Sequence, residues 1–303
     1  MNKKLVFKKD GIEYMHLCAD ITVYWTGSVF SHKEGVLSFY HQAIDLIGKE
    51  LKHYETEEMQ GTRPIDKDAL DLIPSWLTSS EEQRETYMLK LESNSVRNLP
   101  SDTAFDFWAV EYAEEPAGAV RLILPVTWME RSPRHFFDLT KKLVNAMDFH
   151  SGHAGFALNW DYKGDYASLA RREMGVLSRR FPSIDLPDLA CTLIAIPAGI
   201  KRVNWLTLIG NGLLGSVGGL DGLGREFSGH DILVEQLAHG VIIMAGEQAS
   251  VGDVNRQETL PALHNVGRVL SRIRSRDHPP FIANASGDVD DETTEDWLAY
   301  FDE

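Results

Sequence analysis

Residues 239–256 read His-Gly-Val-Ile-Ile-Met-Ala-Gly-Glu-Gln-Ala-Ser-Val-Gly-Asp-Val-Asn-Arg, and no other stretch restricts its own local structure more. The apolar run at 241–244 has the length and β-branching of a short strand, and Gly246 ends it. The turn that follows is rich in Gly, Asp and Asn, which close turns through backbone freedom and short side-chain hydrogen bonds. Arg256 completes it just before a helical pattern begins. Such a segment holds its shape through backbone turns and a network of acidic groups with Arg256. It has no metal-ligand spacing.

The rest of the chain alternates runs of strands with single helices. Residues 6–7 and 15–25 read as strand. Ser31 with Glu34 forms a capping box for a long helix whose buried stripe is Val36, Phe39, Tyr40, Ala43, Ile44, Ile47 and Leu51. Residues 55–64 read as a polar loop, and 66–77 as a helix interrupted by Pro74. Strand patterns follow at 86–92, 103–112 and 119–125, then a helix opened by Ser132-Pro133, a strand at 155–160 and a helix at 167–180. A strand at 203–209, a glycine-rich stretch, strands at 232–236 and 241–244, and a helix at 260–273 complete the pattern. This order predicts an α+β fold, a mixed and largely antiparallel sheet covered by helices on one side. The strand-strand-strand-helix phrase of 86–147 has an echo in 203–273, as if the fold held two similar halves. Pro279-Pro280 is read as the end of the globular part, giving one domain over 1–280 and an acidic tail over 281–303.

Charge narrows the partners. The 303 residues carry 45 acidic and 30 basic side chains, a formal charge of −15. A surface this negative repels phosphate backbones and attracts basic surfaces. Eight acids crowd into residues 287–303 with no Lys or Arg: Asp288, Asp290, Asp291, Glu292, Glu295, Asp296, Asp302 and Glu303. The first six are candidate partner contacts. Trp297, Leu298, Tyr300 and Phe301 lie among them, so a short amphipathic segment is expected to dock on the protein or on a partner. Cys18 and Cys191, each flanked by apolar residues, read as buried thiols in a reducing compartment. The apolar run near the N-terminus is too short for a signal peptide, and a cytoplasmic location is expected.

Local catalytic signatures are weak. Gly210-Asn-Gly212-Leu-Leu-Gly215 is a literal G-x-G-x-x-G after a strand, but the glycines continue through Gly224 and no regular βαβ pattern surrounds it, so turns and close packing explain it better. His150-Ser-Gly-His153, with Asp148 and Asp161 nearby, opens an alternative as a metal-dependent hydrolase, although Gly152 and a helix-to-strand junction favour a turn. His230, Asp231 and His239 flank the last strands, and Asp20, Asp45 and Asp185 offer acids for a relay, yet no G-x-S-x-G elbow presents a serine. No phosphate-binding loop occurs, and no cofactor is expected.

Three ordered motifs point to a family. They are Gly240–Arg256 continuing through Leu260-Pro261-Ala262 and Val269-Leu270, Gly152-His-Ala-Gly-Phe-Ala-Leu158, and Gly199-Ile-Lys-Arg-Val-Asn-Trp-Leu-Thr207. With these the sequence resembles the DUF3396 proteins, also called the type VI immunity family, from about residue 24 to about residue 274. The resemblance implies a non-enzymatic protein that binds and neutralises a toxin, a type VI secreted effector such as a nuclease, inside the producing cell. The partner is expected to be basic and encoded next door. The resemblance also implies that Gly152, His153, Gly155, Asn204, Trp205, Gly246, Glu247, Gly252, Asp253, Asn255 and Arg256 stabilise the fold, while variable loops meet the toxin. The 55–64 loop and the tail after Pro280 look private to this chain.

Overall fold

A single strand of fifteen residues organises the molecule. In the computed structural model, which describes residues 5–79, 84–94, 96 and 99–303, every residue from Tyr14 to Trp25 is buried; residues 1–4, where the N-terminal run begins, lie outside the described residues. The first elements are β1 (Val6–Lys9), β2 (Ile12–Thr26), α1 (Val29–Ile47), β3 (His53–Thr56), β4 (Arg63–Pro64), α2 (Lys67–Leu70) and α3 (Leu72–Thr78). Next come β5 (Thr86–Glu92), β6 (Ala104–Val110), β7 (Ala117–Pro125), α4 (Thr127–Arg131), α5 (Pro133–Val144), β8 (Ser151–Trp160), α6 (Ala167–Arg180) and α7 (Leu189–Ala195). The chain finishes with β9 (Leu206–Gly210), α8 (Asn211–Leu214), α9 (Gly219–Glu226), β10 (Ile232–Leu237), β11 (Gly240–Ala245), α10 (Pro261–Leu270) and α11 (Asp291–Leu298).

The strands form one sheet in the order β10-β11-β9-β8-β2-β7-β6-β5-β3-β4, with β1 added to β2. All of these pairings are antiparallel, so the fold is α+β. Successive side chains of a strand leave opposite faces, and β2 uses both. Met15, Leu17, Ala19, Ile21, Val23 and Trp25 join the main core with Phe39 and Tyr40 of α1 and Phe136 and Phe137 of α5. Its other face carries His16, Cys18, Asp20, Thr22 and Tyr24, all equally buried. There Tyr24 packs with Ala117 and Ala119 against Leu193 and Ile196, beside and within α7. The sheet is therefore covered on both sides rather than on one.

Local chemistry moves several expected boundaries. Ser28, not Ser31, caps α1, accepting from the Phe30 amide at 3.4 Å, because the chain turns into the helix directly after β2. Residues 55–64 are not wholly loop, since β3 adds to β5 through a register that pairs Glu55 with Lys90. The glycine-rich stretch is helical in two pieces, α8 and α9, separated at Gly218, whose φ of +83° no ordinary helix residue adopts. The two strand-strand-strand-helix phrases differ in topology: β5, β6 and β7 are neighbours in sequence order, whereas β9 lies beside β11.

The globular body does not stop at Pro280. Phe281, Ile282 and Ala283 are buried, and α11 buries Trp297 and Leu298. Arg274 donates to Glu295 and Asp302, and the Arg202 guanidinium sits 4.0 Å over the Trp297 ring. Two glycines let this segment approach: a Cβ on Gly175 would run into the Ala283 carbonyl oxygen, and one on Gly267 into the Phe301 carbonyl oxygen. Overpacking of that kind costs about 1–3 kcal/mol. Gly175→Ala and Gly267→Ala are thus each expected to lower the urea midpoint and to speed proteolysis between 281 and 290; unchanged proteolysis of both variants would contradict this packing.

His278 ties the C-terminal segment to α7. Its Nδ1 donates to the Pro279 carbonyl at 2.8 Å and its Nε2 lies 3.2 Å from Thr192 Oγ1. Burial pulls this imidazole down to about 4. The unfolded chain, with an ordinary value of about 6.5, takes up the proton first, so stability is expected to fall as pH drops from about 6.5 towards 4. Urea midpoints across that window should show a slope that His278→Gln reduces.

Candidate functional site

The polar face of the sheet carries one side chain per strand along a single register row. Glu55 of β3 pairs with Lys90 of β5, Lys90 with Asp106 of β6, and Asp106 with Arg121 of β7. The row continues through Thr22 of β2, His153 of β8 and Thr207 of β9. Directly opposed cross-strand residues are close enough to interact, and here the formal charge alternates over the first four positions.

Each cation in the row has a carboxylate. Arg121 Nε donates to Asp20, its Nη1 is 3.6 Å from Asp106, and Thr22 Oγ1 donates to Asp20 at 2.6 Å. Lys90 Nζ is 2.8 Å from Glu92 and 3.1 Å from Asp161. Burial opposes the Lys90 ammonium, but Glu92 and Asp161 outweigh it and hold the group charged. Burial pushes the Asp106 carboxyl up despite Arg121 and Lys90. Further along, His153 Nε2 lies 3.4 Å from Asp185, which also accepts from Lys201 at 2.9 Å. Burial would raise Asp185, yet Lys201 and His153 together hold it well below the usual carboxylate range.

Between this row and α7 a cleft of about 200 Å³ opens over β5, β6 and β7. Asp106 and Arg121 line it, with Trp108, Trp160 and Tyr162 as aromatic walls and Asn159 beside them. Lys163 donates to Glu55 at 2.8 Å, and Arg171 is 4.0 Å from Asp188. Cys191 also lines the cleft, and burial, aided by Asp188, pushes its thiol up to about 12, so it is protonated near neutrality.

The motif residues occupy three joined places. Gly152 and Gly155 lie in β8, where a Cβ would strike the Thr22 carbonyl at 2.7 Å and the Asn204 side chain respectively. Asn204 Oδ1 accepts from the Trp205 amide at 2.7 Å, and Trp205 Nε1 donates to the Gly246 carbonyl at 2.9 Å. Gly246 and Gly252 have φ of +84° and +68°. Asp253 accepts both Nε and Nη2 of Arg180, at 3.0 and 2.9 Å, and lies 3.5 Å from Arg256. Glu247, Asn255 and Arg256 are exposed on the turn. Near the C-terminus, Asp290 caps α11 by accepting from the Thr293 amide at 2.7 Å, and Glu295 is held by Arg274. Asp288, Asp291, Glu292 and Asp296 form an exposed acidic edge. Burial lowers the His150 pKa, against hydrogen bonds to the backbone of Gly199 and Ile196. Among the described residues no three His, Cys, Asp or Glu side chains gather to hold a metal ion.

The family model TsiV, described as type VI immunity for VRR-NUC, matches residues 36–301. The chain belongs to this immunity family. The TsiV match runs through α11, so the acidic segment falls inside the matched range rather than being private to this chain. A solved structure of a Pseudomonas aeruginosa T6SS protein has a TM-score of 0.78 at 19% identity, covering 98% of this chain and 87% of that one. At that identity the likeness is one of fold. A comparison with curated proteins finds no match, and no helix among the described residues is long and apolar enough to cross a membrane.

The polar row itself was missed by motif reasoning, which singled out Asp20 and Asp185 only as partners for a serine. Its signal was present: in Cys18-Ala-Asp-Ile-Thr22 and Phe105-Asp-Phe107 an acid interrupts a strand that is otherwise apolar. Removing one partner of a buried ion pair costs about 3–5 kcal/mol. Lys201→Met is expected to lose stability on that scale in urea denaturation, with Asp185→Asn added in the same chain recovering part of it. Because Asp185 is depressed, its contribution is present above about pH 3.9 and is lost as pH falls below that value.

Proposed function

We propose that the protein is a non-catalytic immunity protein that binds a nuclease effector and neutralises it in the cytoplasm of the cell that makes both. The match to a family described as type VI immunity for VRR-NUC over residues 36–301 carries this reading. The formal charge of −15 supports it, since a nuclease must present a basic surface to its substrate and an acidic protein can occupy that surface. The exposed acids of the C-terminal segment, Asp288, Asp291, Glu292 and Asp296, are the candidate contacts, with Asp290 and Glu295 holding the helix that presents them. The residues of the three motifs keep the scaffold in shape: Trp205 bonds to the turn at Gly246, Gly155 packs against Asn204, and Asp253 anchors that turn to α6.

The test is co-expression with the product of the neighbouring effector gene. A complex that survives gel filtration at low salt and abolishes DNA cleavage at equal molar ratio is expected. Complementary charge acts mainly on the association rate and is screened by salt. Reversing Asp288, Asp291, Glu292 and Asp296 to Lys together is therefore expected to slow association at least about tenfold at low salt, with the melting temperature little changed. Absence of any complex at low salt would overturn the proposal.

A further inference from the structure

We propose that the cleft over β5, β6 and β7 is a binding site for a neutral, planar amide-type group, one that presents an N–H donor and a C=O acceptor side by side. The first argument is an unmet hydrogen-bonding demand. Asp106 and Arg121, each 6% exposed and opposed in register on neighbouring strands, both line the cleft. Asp106 Oδ1 has no donor and Arg121 Nη2 has no acceptor among the described residues. Buried polar groups left this way are costly, and here an acceptor and a donor sit on residues paired across neighbouring strands. Arg171, on the cleft wall, also has its Nε free. A carbonyl oxygen, with two lone pairs, suits such a surplus of donors.

The second argument is charge. Lys90, Arg121, Lys163 and Arg171 are each already beside a carboxylate, so the cleft calls for neither a free cation nor a free anion. A full charge brought in would have to break a pair that burial makes strong. The third argument is shape. Trp108, Trp160 and Tyr162 supply flat walls, and about 200 Å³ is below the roughly 300–1,000 Å³ of drug-sized pockets. One ring or one side chain fills it. The amide can come from a free small molecule, such as the lactam edge of a nucleobase, or from an Asn or Gln side chain of a protein partner.

Benzamide, benzoate and benzamidinium have nearly the same size and planarity and differ in charge and in donor pattern. Titrated into the isolated wild-type protein, benzamide is expected to shift the indole N–H resonances of Trp108 and Trp160 saturably. Benzoate and benzamidinium should each bind at least about tenfold more weakly. Trp108→Ala should abolish the benzamide effect at Trp160; if that variant fails to fold, the three-probe comparison on wild type decides alone. Uridine, which has a lactam edge, should compete with benzamide, and N3-methyluridine, which lacks that N–H, should not. Loss of benzamide binding in the complex with the effector would identify a partner side chain as the source, and retained binding a free small molecule. The isolated-protein titration does not depend on the immunity reading, so failure to form a toxin complex leaves it intact. Equal binding of all three probes, or no saturable shift at millimolar benzamide, would overturn the proposal.

Discussion

A guanidinium in the middle of an eleven-stranded sheet needs carboxylates close by, and that need shapes everything around it. Arg121 sits on β7 with Asp20 on the next strand and Asp106 on the strand behind. A charge so deep is tolerable only when it is paired and hydrogen-bonded. The pairing fixes the registers of β6, β7 and β2, because a slip of one residue would carry every side chain to the opposite face. The apolar core under α1 and α5 is thereby assigned to one face and the polar row to the other. The cover over the polar face must itself bring charges, and it does so through Asp185 and Lys201.

Much of this architecture was legible in the sequence, and the parts that were not have physical reasons. Helix α5 followed from its Ser132-Pro133 start, and the strand pattern at 86–92 has the bounds of β5. The start of α1 was misplaced because Ser28 and Ser31 are equally good caps locally, and only the sharp exit from β2 chooses between them. The helices of the glycine-rich stretch were hidden because glycine lowers helix propensity, a penalty that tertiary packing of Val217 and Leu223 overrides. Strand order was beyond reach, since nothing local says that β8 pairs with β2 rather than with β7. The cleft was missed for the same reason: its walls come from β5, β6 and the chain beyond β8, brought together only by that order.

Two scales of electrostatics separate inside from outside. Within the sheet, each cation lies beside one or more carboxylates. On the surface, acids such as Asp288, Asp291, Glu292 and Asp296 are exposed to solvent. On the proposed reading, the outer charges are the ones available to a partner. The three family motifs lie within the packed body. Their conformation is set by close approaches such as Gly155 against Asn204 and by the Trp205 bond to the turn at Gly246.

The position of β2 also has a kinetic side. Residues 12–26 are made early, yet they pair with 117–125 on one side and 151–160 on the other. The centre of the sheet cannot close until residue 160 has left the ribosome, and contacts so distant along the chain slow folding. On the proposed immunity reading, that delay favours a standing stock over synthesis on demand.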